Sequence, residues 1–172
     1  MATNGYTNGQ PQETTTLTVP GKGEYIENGR LYQLWHRGQY PFPIDERELD
    51  RLDAMHKFFL VSRGYRLYSP HIILENMPNL RILDLGCGTG MWALDIAKKF
   101  FNSGSSLVLG VDLSTQMQAS EIYANNDFRA MDIEEPWAPF VEESSYHLIH
   151  ARMLAGSIHF DSWPRIYGEI FR

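Results

Sequence analysis

Short, continuous apolar runs recur through the second half of the chain, each set off by polar or glycine-rich turns. Arg81-Ile82-Leu83-Asp84-Leu85 comes first, followed by Leu107 to Val111 and Tyr146 to Ala151, and Asp127 to Met131, between the last two, also reads as a strand. Runs of this length without alternation predict strands buried on both faces, as in a parallel sheet. Between the first two, the spacing becomes helical over Met91 to Phe101. There Trp92, Leu94, Ile96, Ala97, Phe100 and Phe101 offer broad cover for a sheet. Lys98 and Lys99 fall in the last turn of that helix, a solvated end that suits its dipole, and Gly104 is expected to stop it. Upstream, Asp45-x-x-Glu48 is a start signal in which Asp45 caps and Glu48 reaches back. From there to about Gly64, Leu49, Leu52, Met55, His56, Phe59 and Leu60 share one face. Arg47, Asp50, Arg51 and Lys57 lie largely opposite. Near the C-terminus, Asp161 or Ser162 can cap a helix that carries Pro164 in its first turn. Glu24 to Pro43 is aromatic-rich and reads as irregular, and Met1 to about Gly23 is polar enough to be disordered. The expected organisation is a tail (1–23), an N-terminal aromatic and helical region (24–75) and an α/β domain (76–172).

The turn between the first strand and its helix carries the chemistry. Gly86, Gly88 and Gly90 stand at alternate positions, with Cys87 and Thr89 between them. Such glycines allow positive φ and remove β-carbons that would hold a ligand off the backbone. The helix that follows turns unpaired amide groups toward whatever occupies the turn. A phosphate-cradling loop would need Gly-Lys-Ser/Thr, but Met91 and Trp92 follow Gly90. A dinucleotide loop would need a small residue where Met91 stands. The remaining reading is a loop that resembles the Asp-x-Gly-x-Gly-x-Gly signature of Rossmann-like methyltransferases, which hold S-adenosylmethionine (SAM), with Asp84 as its acid.

Two further acids extend that reading. Asp112, followed by Leu113, ends the second strand and can accept hydrogen bonds from both ribose hydroxyls of an adenosine; it could equally cap a helix starting at Ser114 and Thr115. Asp132 ends the third strand and can accept an adenine amine while Ile133 lies on the ring; its alternative is a solvated acidic turn. The far end of the fourth strand, from His150 to Met153, should border the methyl group.

Composition narrows the classes. With 172 residues, of which 43% are hydrophobic, one domain with an adequate core is expected. A net charge of −6 and no basic cluster argue against a nucleic-acid surface. Cys87 is the single cysteine, so no internal disulfide can form. His147 and His150 lie three apart on a strand and point to opposite faces, so no zinc site is expected. No signal core or membrane-length stretch is seen, and the expected location is cytoplasmic or nuclear rather than secreted.

From about Tyr25 to Arg172 the chain resembles the fungal LaeA-type methyltransferases, related to the velvet-complex regulators of secondary metabolism. The resemblance rests on Glu27-Asn28-Gly29-Arg30, Gly38-Gln39-Tyr40-Pro41, Leu83 to Ala93, Asp112-Leu113-Ser114, Glu134-Glu135-Pro136-Trp137 and Ile149 to Leu154. It implies a class I SAM-dependent methyltransferase fold, an α/β Rossmann-like sheet in which this chain supplies strands 3-2-1-4, with an N-terminal helical extension. The family's last three strands are missing, which predicts a C-terminally truncated product with an open strand edge. It implies SAM as cofactor, held by Asp84, Gly86, Cys87, Gly88, Thr89, Gly90, Asp112, Leu113, Asp132, Ile133 and His150, and a methyl acceptor that is a small molecule or a protein. The N-terminal region would cover the site, with Tyr32, Trp35 or Tyr40 closing over it. Tyr146-His147 departs from the family's Phe-Asp. No catalytic residue is assigned, although His150 could take a proton from an acceptor. Two functions stay open. One is a methyltransferase linked to secondary metabolism, as tailoring enzyme or regulator. The other is a non-catalytic SAM-binding remnant, or an interaction module that docks a partner or a second copy along the open edge.

Overall fold

Parallel pairing organises the computed structural model, which describes residues 23–34, 40–102, 105–114 and 123–172. The central strand β3 (Leu80–Leu85) lies between β4 (Ser106–Asp112) and β6 (Leu148–Ala151), and β5 (Asn126–Ala130) adds beyond β4. The order β5-β4-β3-β6, all parallel, matches the predicted 3-2-1-4. Parallel neighbours need crossovers. The first is α2 (Met91–Phe100), and a short helix α3 (Trp163–Ile170) follows β6.

Strand parity divides the core. Leu80 and Ile82 point to the α2 side, where they meet Trp92, Ala93, Ile96, Phe100 and Val108. Leu83 and Leu85 point the other way, onto Val111, Ile133, Trp137 and Ile166. Ile82 and Leu83 are wholly buried, and each such side chain contributes about 1.5–3 kcal/mol by burial. Trp137, from the Glu-Glu-Pro-Trp turn, donates its indole N–H to the Ile133 carbonyl at 3.0 Å, which satisfies its one polar group in the core.

The N-terminal region departs from expectation. Glu24 to Gln33 is not irregular: β1 (Glu24–Glu27) and β2 (Arg30–Gln33) pair antiparallel. Their turn is Asn28-Gly29, both at positive φ (50° and 73°). Asn-Gly between apolar-bearing segments is the strongest short hairpin signal, and it was present in the sequence. Tyr25 and Tyr32 stack across the pair at 5.4 Å.

Helix α1 (Glu46–Ser62) follows, with Asp45 as its N-cap, accepting from the Glu48 amide at 3.2 Å. Glu48 does not reach back; its buried carboxylate pairs with Arg51 at 2.6 Å. Asp45 also takes two hydrogen bonds from Arg30, so the same carboxylate caps α1 and ties it to the hairpin. Two smaller expectations also change. Ser162 makes no side-chain cap at α3. Lys99 is not simply solvated, since its ammonium donates to the Tyr68 hydroxyl at 2.7 Å. The tail, Trp35, Gly104 and the segment after Ser114 lie outside the described residues.

Candidate functional site

A cavity of about 350 Å³ opens at the C-terminal ends of the parallel strands. That is where open α/β sheets receive ligands, because the loops there diverge from the strand order. The turn after β3 contributes Gly86 and Gly88, and the tip of β4 contributes Asp112 and Leu113. The segment past β5 contributes Met131, Asp132 and Ile133. Tyr40, Phe42, Arg51 and Leu52 close it from the N-terminal region, and Arg152, Met153 and Leu154 close it beyond β6.

The three loop glycines have positive φ, at 63°, 55° and 78°, as the turn requires. Their bare positions serve different ends. A β-carbon on Gly86 would stand 2.3 Å from Leu154, and one on Gly90 would stand 2.5 Å from the ring of Phe128. Those two spaces are filled from within the protein. At Gly88 the nearest atom is Leu52 Cδ1 at 3.5 Å, ordinary contact, so here the main chain stays open to the cavity. Cys87, Thr89 and Gly90 shape the turn from behind rather than line the cavity. Cys87 N–H donates to the Val111 carbonyl and Gly90 N–H to the Cys87 carbonyl.

Asp112 is the acid closest to the open glycine. Its Oδ2 accepts the Gly88 N–H at 2.9 Å and its Oδ1 accepts the Ser114 N–H at 3.3 Å. Burial pushes its pKa up, and those main-chain donors oppose the shift. The Leu113 main chain donates as well, and a carboxylate offers about four acceptor sites, so three such donors leave capacity for a ligand. Asp132 is buried beside it, with Oδ1 accepting from the Glu134 amide at 2.8 Å, and Ile133 forms an apolar wall. The Tyr40 phenol is pushed up to about 12, first by burial and then by the negative charges of Asp112 and Glu48. Of the aromatic cover residues, Tyr40 reaches this cavity, while Tyr32 is spent on the hairpin stack.

Asp84 and His150 lie elsewhere. They are partners in the β3–β6 register and so share the α2 face. His150 Nδ1 meets Asp84 Oδ1 at 2.7 Å, and the imidazole stacks on Trp92 at 3.7 Å. His150 faces a second cavity, between β6 and the end of α1, rather than the site of the strand tips. Of the span expected to border the methyl group, Arg152 and Met153 line the strand-tip cavity and His150 does not. His147 sits at the opposite end of the strands, where its Nδ1 accepts from the Arg81 amide at 3.1 Å.

Two cavity residues were not anticipated. Arg51, expected to face solvent, lies over Phe42 at 5.2 Å and is held by Glu48. Arg152 was seen only as part of a strand end. Its neighbour is His56, buried on α1 and 96 residues away in sequence. Nothing in local spacing could have joined them.

A methyltransferase domain family model matches residues 82–172, more than half of the chain. The chain belongs to that methyltransferase family, and within it to the LaeA type. The secondary metabolism regulator LAE1 of Cochliobolus heterostrophus is 44% identical over 157 residues, covering 90% of this chain and 48% of that protein. A protein of Emericella nidulans named protein-methionine methyltransferase laeA is 44% identical over 148 residues, covering 84% of this chain and 36% of that one. The CMeT domain of the citrinin polyketide synthase overlaps at a TM-score of 0.45 with 23% identity, over 77% of this chain and 34% of that one. This methyltransferase chain thus spans less than half the length of the curated relatives it matches. Its sheet, with helices and a strand-tip cavity, is the Rossmann-like fold of the class.

Proposed function

We propose that the strand-tip cavity binds SAM and that the chain is the cofactor-holding part of a methyltransferase. The observation that carries this reading is Asp112, whose carboxylate is fixed by main-chain N–H donors beside the open Gly88 and lines the cavity with acceptor capacity to spare. In this reading Asp112 holds the ribose hydroxyls, Asp132 takes the adenine amine, and Leu113 and Ile133 sandwich the base. Gly88 lets the tail pass close to the main chain. The cofactor supplies an electrophilic methyl group on sulfur. The protein's task is then alignment, which can lower a barrier by up to about 7–11 kcal/mol.

The relative named a protein-methionine methyltransferase supports a thioether acceptor, and the regulators among the relatives support a role in secondary metabolism. A thioether has no proton to lose, so transfer to it needs no general base. His150, stacked on Trp92 and bonded to Asp84, is then a packing residue.

Calorimetry with S-adenosylhomocysteine tests the site. Asp112→Ala should weaken binding by about 1.5–3 kcal/mol, the range of charge-assisted hydrogen bonds. Absence of heat from the unaltered protein at millimolar ligand would overturn the reading. A second reading, a SAM-binding module that docks a partner, draws support from β6, which pairs with β3 alone among the described residues. Methyl transfer from labelled SAM to a methionine-containing peptide favours the enzyme; tight binding without turnover favours the module.

A further inference from the structure

Two cations line the cavity, Arg51 and Arg152, and they are not equivalent: Arg152 also lines the second cavity and so stands at the boundary of both. Arg51 is neutralised by Glu48, whose carboxylate lies 2.6 Å from its guanidinium. Arg152 forms no ion pair with any described carboxylate. Among the described residues its guanidinium donates to the Nδ1 of His56 at 3.1 Å, and it lies over the Phe59 ring at 4.8 Å. His56 Nε2 lies 2.9 Å from Asp95 Oδ2. An Nδ1 that accepts from arginine leaves the imidazole proton on Nε2, where it donates to Asp95. The imidazole thus aims the guanidinium without neutralising it. A half-buried cation in that position is costly unless an anion joins it, and burial already draws its pKa down against the pull of Asp84.

Strand order says which anion. Asp132 stands past β5, Asp112 at the tip of β4, Gly88 after β3, and Arg152 just beyond β6. Charge therefore runs across the sheet from acids, suited to a base and a sugar, to an unmatched arginine at the far end. Three strand spacings of about 4.8 Å separate the ends, a span suited to an adenosine with an extended amino-acid tail. Resting on the SAM assignment above, we infer that Arg152 is the residue that binds the carboxylate of the cofactor's methionine tail, with His56 as the positioning residue behind it. Guanidinium and carboxylate match as a two-pronged pair.

Two probes separate this from a structural role: S-adenosylhomocysteine, which carries the tail, and 5′-methylthioadenosine, which keeps the nucleoside and sulfur but lacks it. Arg152→Met should lose roughly 10- to 100-fold in affinity for S-adenosylhomocysteine, with affinity for 5′-methylthioadenosine unchanged. Arg152→Lys, which keeps the charge but not the fork, should retain part of the preference. If the Met variant does not fold, the Lys variant carries the same comparison. Equal loss of both ligands, or full retention of S-adenosylhomocysteine binding, would overturn the assignment. Unaltered protein that binds 5′-methylthioadenosine as tightly as S-adenosylhomocysteine would overturn it while leaving the nucleoside site standing. Unaltered protein that binds neither would overturn the SAM reading itself, and this assignment with it.

Discussion

The sheet and the N-terminal cover laid over its tips are held by different forces. The sheet is dry: Ile82, Leu83, Leu85 and Val108 are wholly buried, and its pairing is main chain to main chain. The cover is fastened by polar joints. Arg30 on β2 meets Asp45 at the start of α1, and His56 on α1 links Asp95 of α2 to Arg152. Apolar burial is hard to undo locally, because a loosened side chain leaves a void. A few hydrogen-bonded pairs can open and close at modest cost. A site roofed by such joints can admit a ligand without unfolding its floor.

The largest effect should come from the floor. Leu83→Ala, in the fully buried centre of β3, should cost about 2–5 kcal/mol of stability in urea unfolding; a cost under 1 kcal/mol would erase the contrast between floor and roof. Next is Gly110→Val. A β-carbon there would stand 2.6 Å from the Phe128 ring, so about 1–3 kcal/mol should be lost through displaced packing. A smaller change should follow His56→Leu, which strands the Arg152 guanidinium and the Asp95 carboxylate at about 1–2 kcal/mol. Hydrogen exchange should then quicken in α1 before it quickens in β3. If both regions respond together, cover and sheet are one cooperative unit.

The mildest prediction concerns acid. Arg30 holds the Asp45 carboxyl down at about 2, from an ordinary 3.8. A depressed carboxyl contributes its full stability above the unfolded value and loses it as pH falls through the folded one. The joint between hairpin and α1 should therefore be intact above about pH 4 and weaken toward pH 2, followed by Tyr25 and Tyr32 fluorescence. Asp45→Asn should remove that acid response while the sheet's circular dichroism is unchanged.

The same contrast explains what could be read in advance. Ile82, Leu83, Val108 and Leu109 lie in mostly apolar runs, which is how a strand buried on both faces looks, and the glycine spacing marked the turn. Asp45 declared itself as a cap. Asn28-Gly29 declared a hairpin, although the aromatic residues around it read as irregular. Burial on both faces also concealed something: without alternation, no pattern told which face Asp84 or His150 would take, and the register put both toward α2. Arg51 looked solvent-facing on its helix because a helical wheel does not show the cavity that Phe42 and Leu52 close beside it.

Local order, then, was written in the chain: the strand runs, the helix starts, the turn chemistry and the acids at the strand tips. These depend on neighbours a few residues apart, whose energetics the sequence displays. Only the tertiary structure decided that Gly86 and Gly90 are filled by Leu154 and Phe128 while Gly88 stays open, and that His56 holds Arg152 where the two cavities meet. Those outcomes rest on contacts between side chains far apart in sequence, and such contacts exist only once the sheet has set their register.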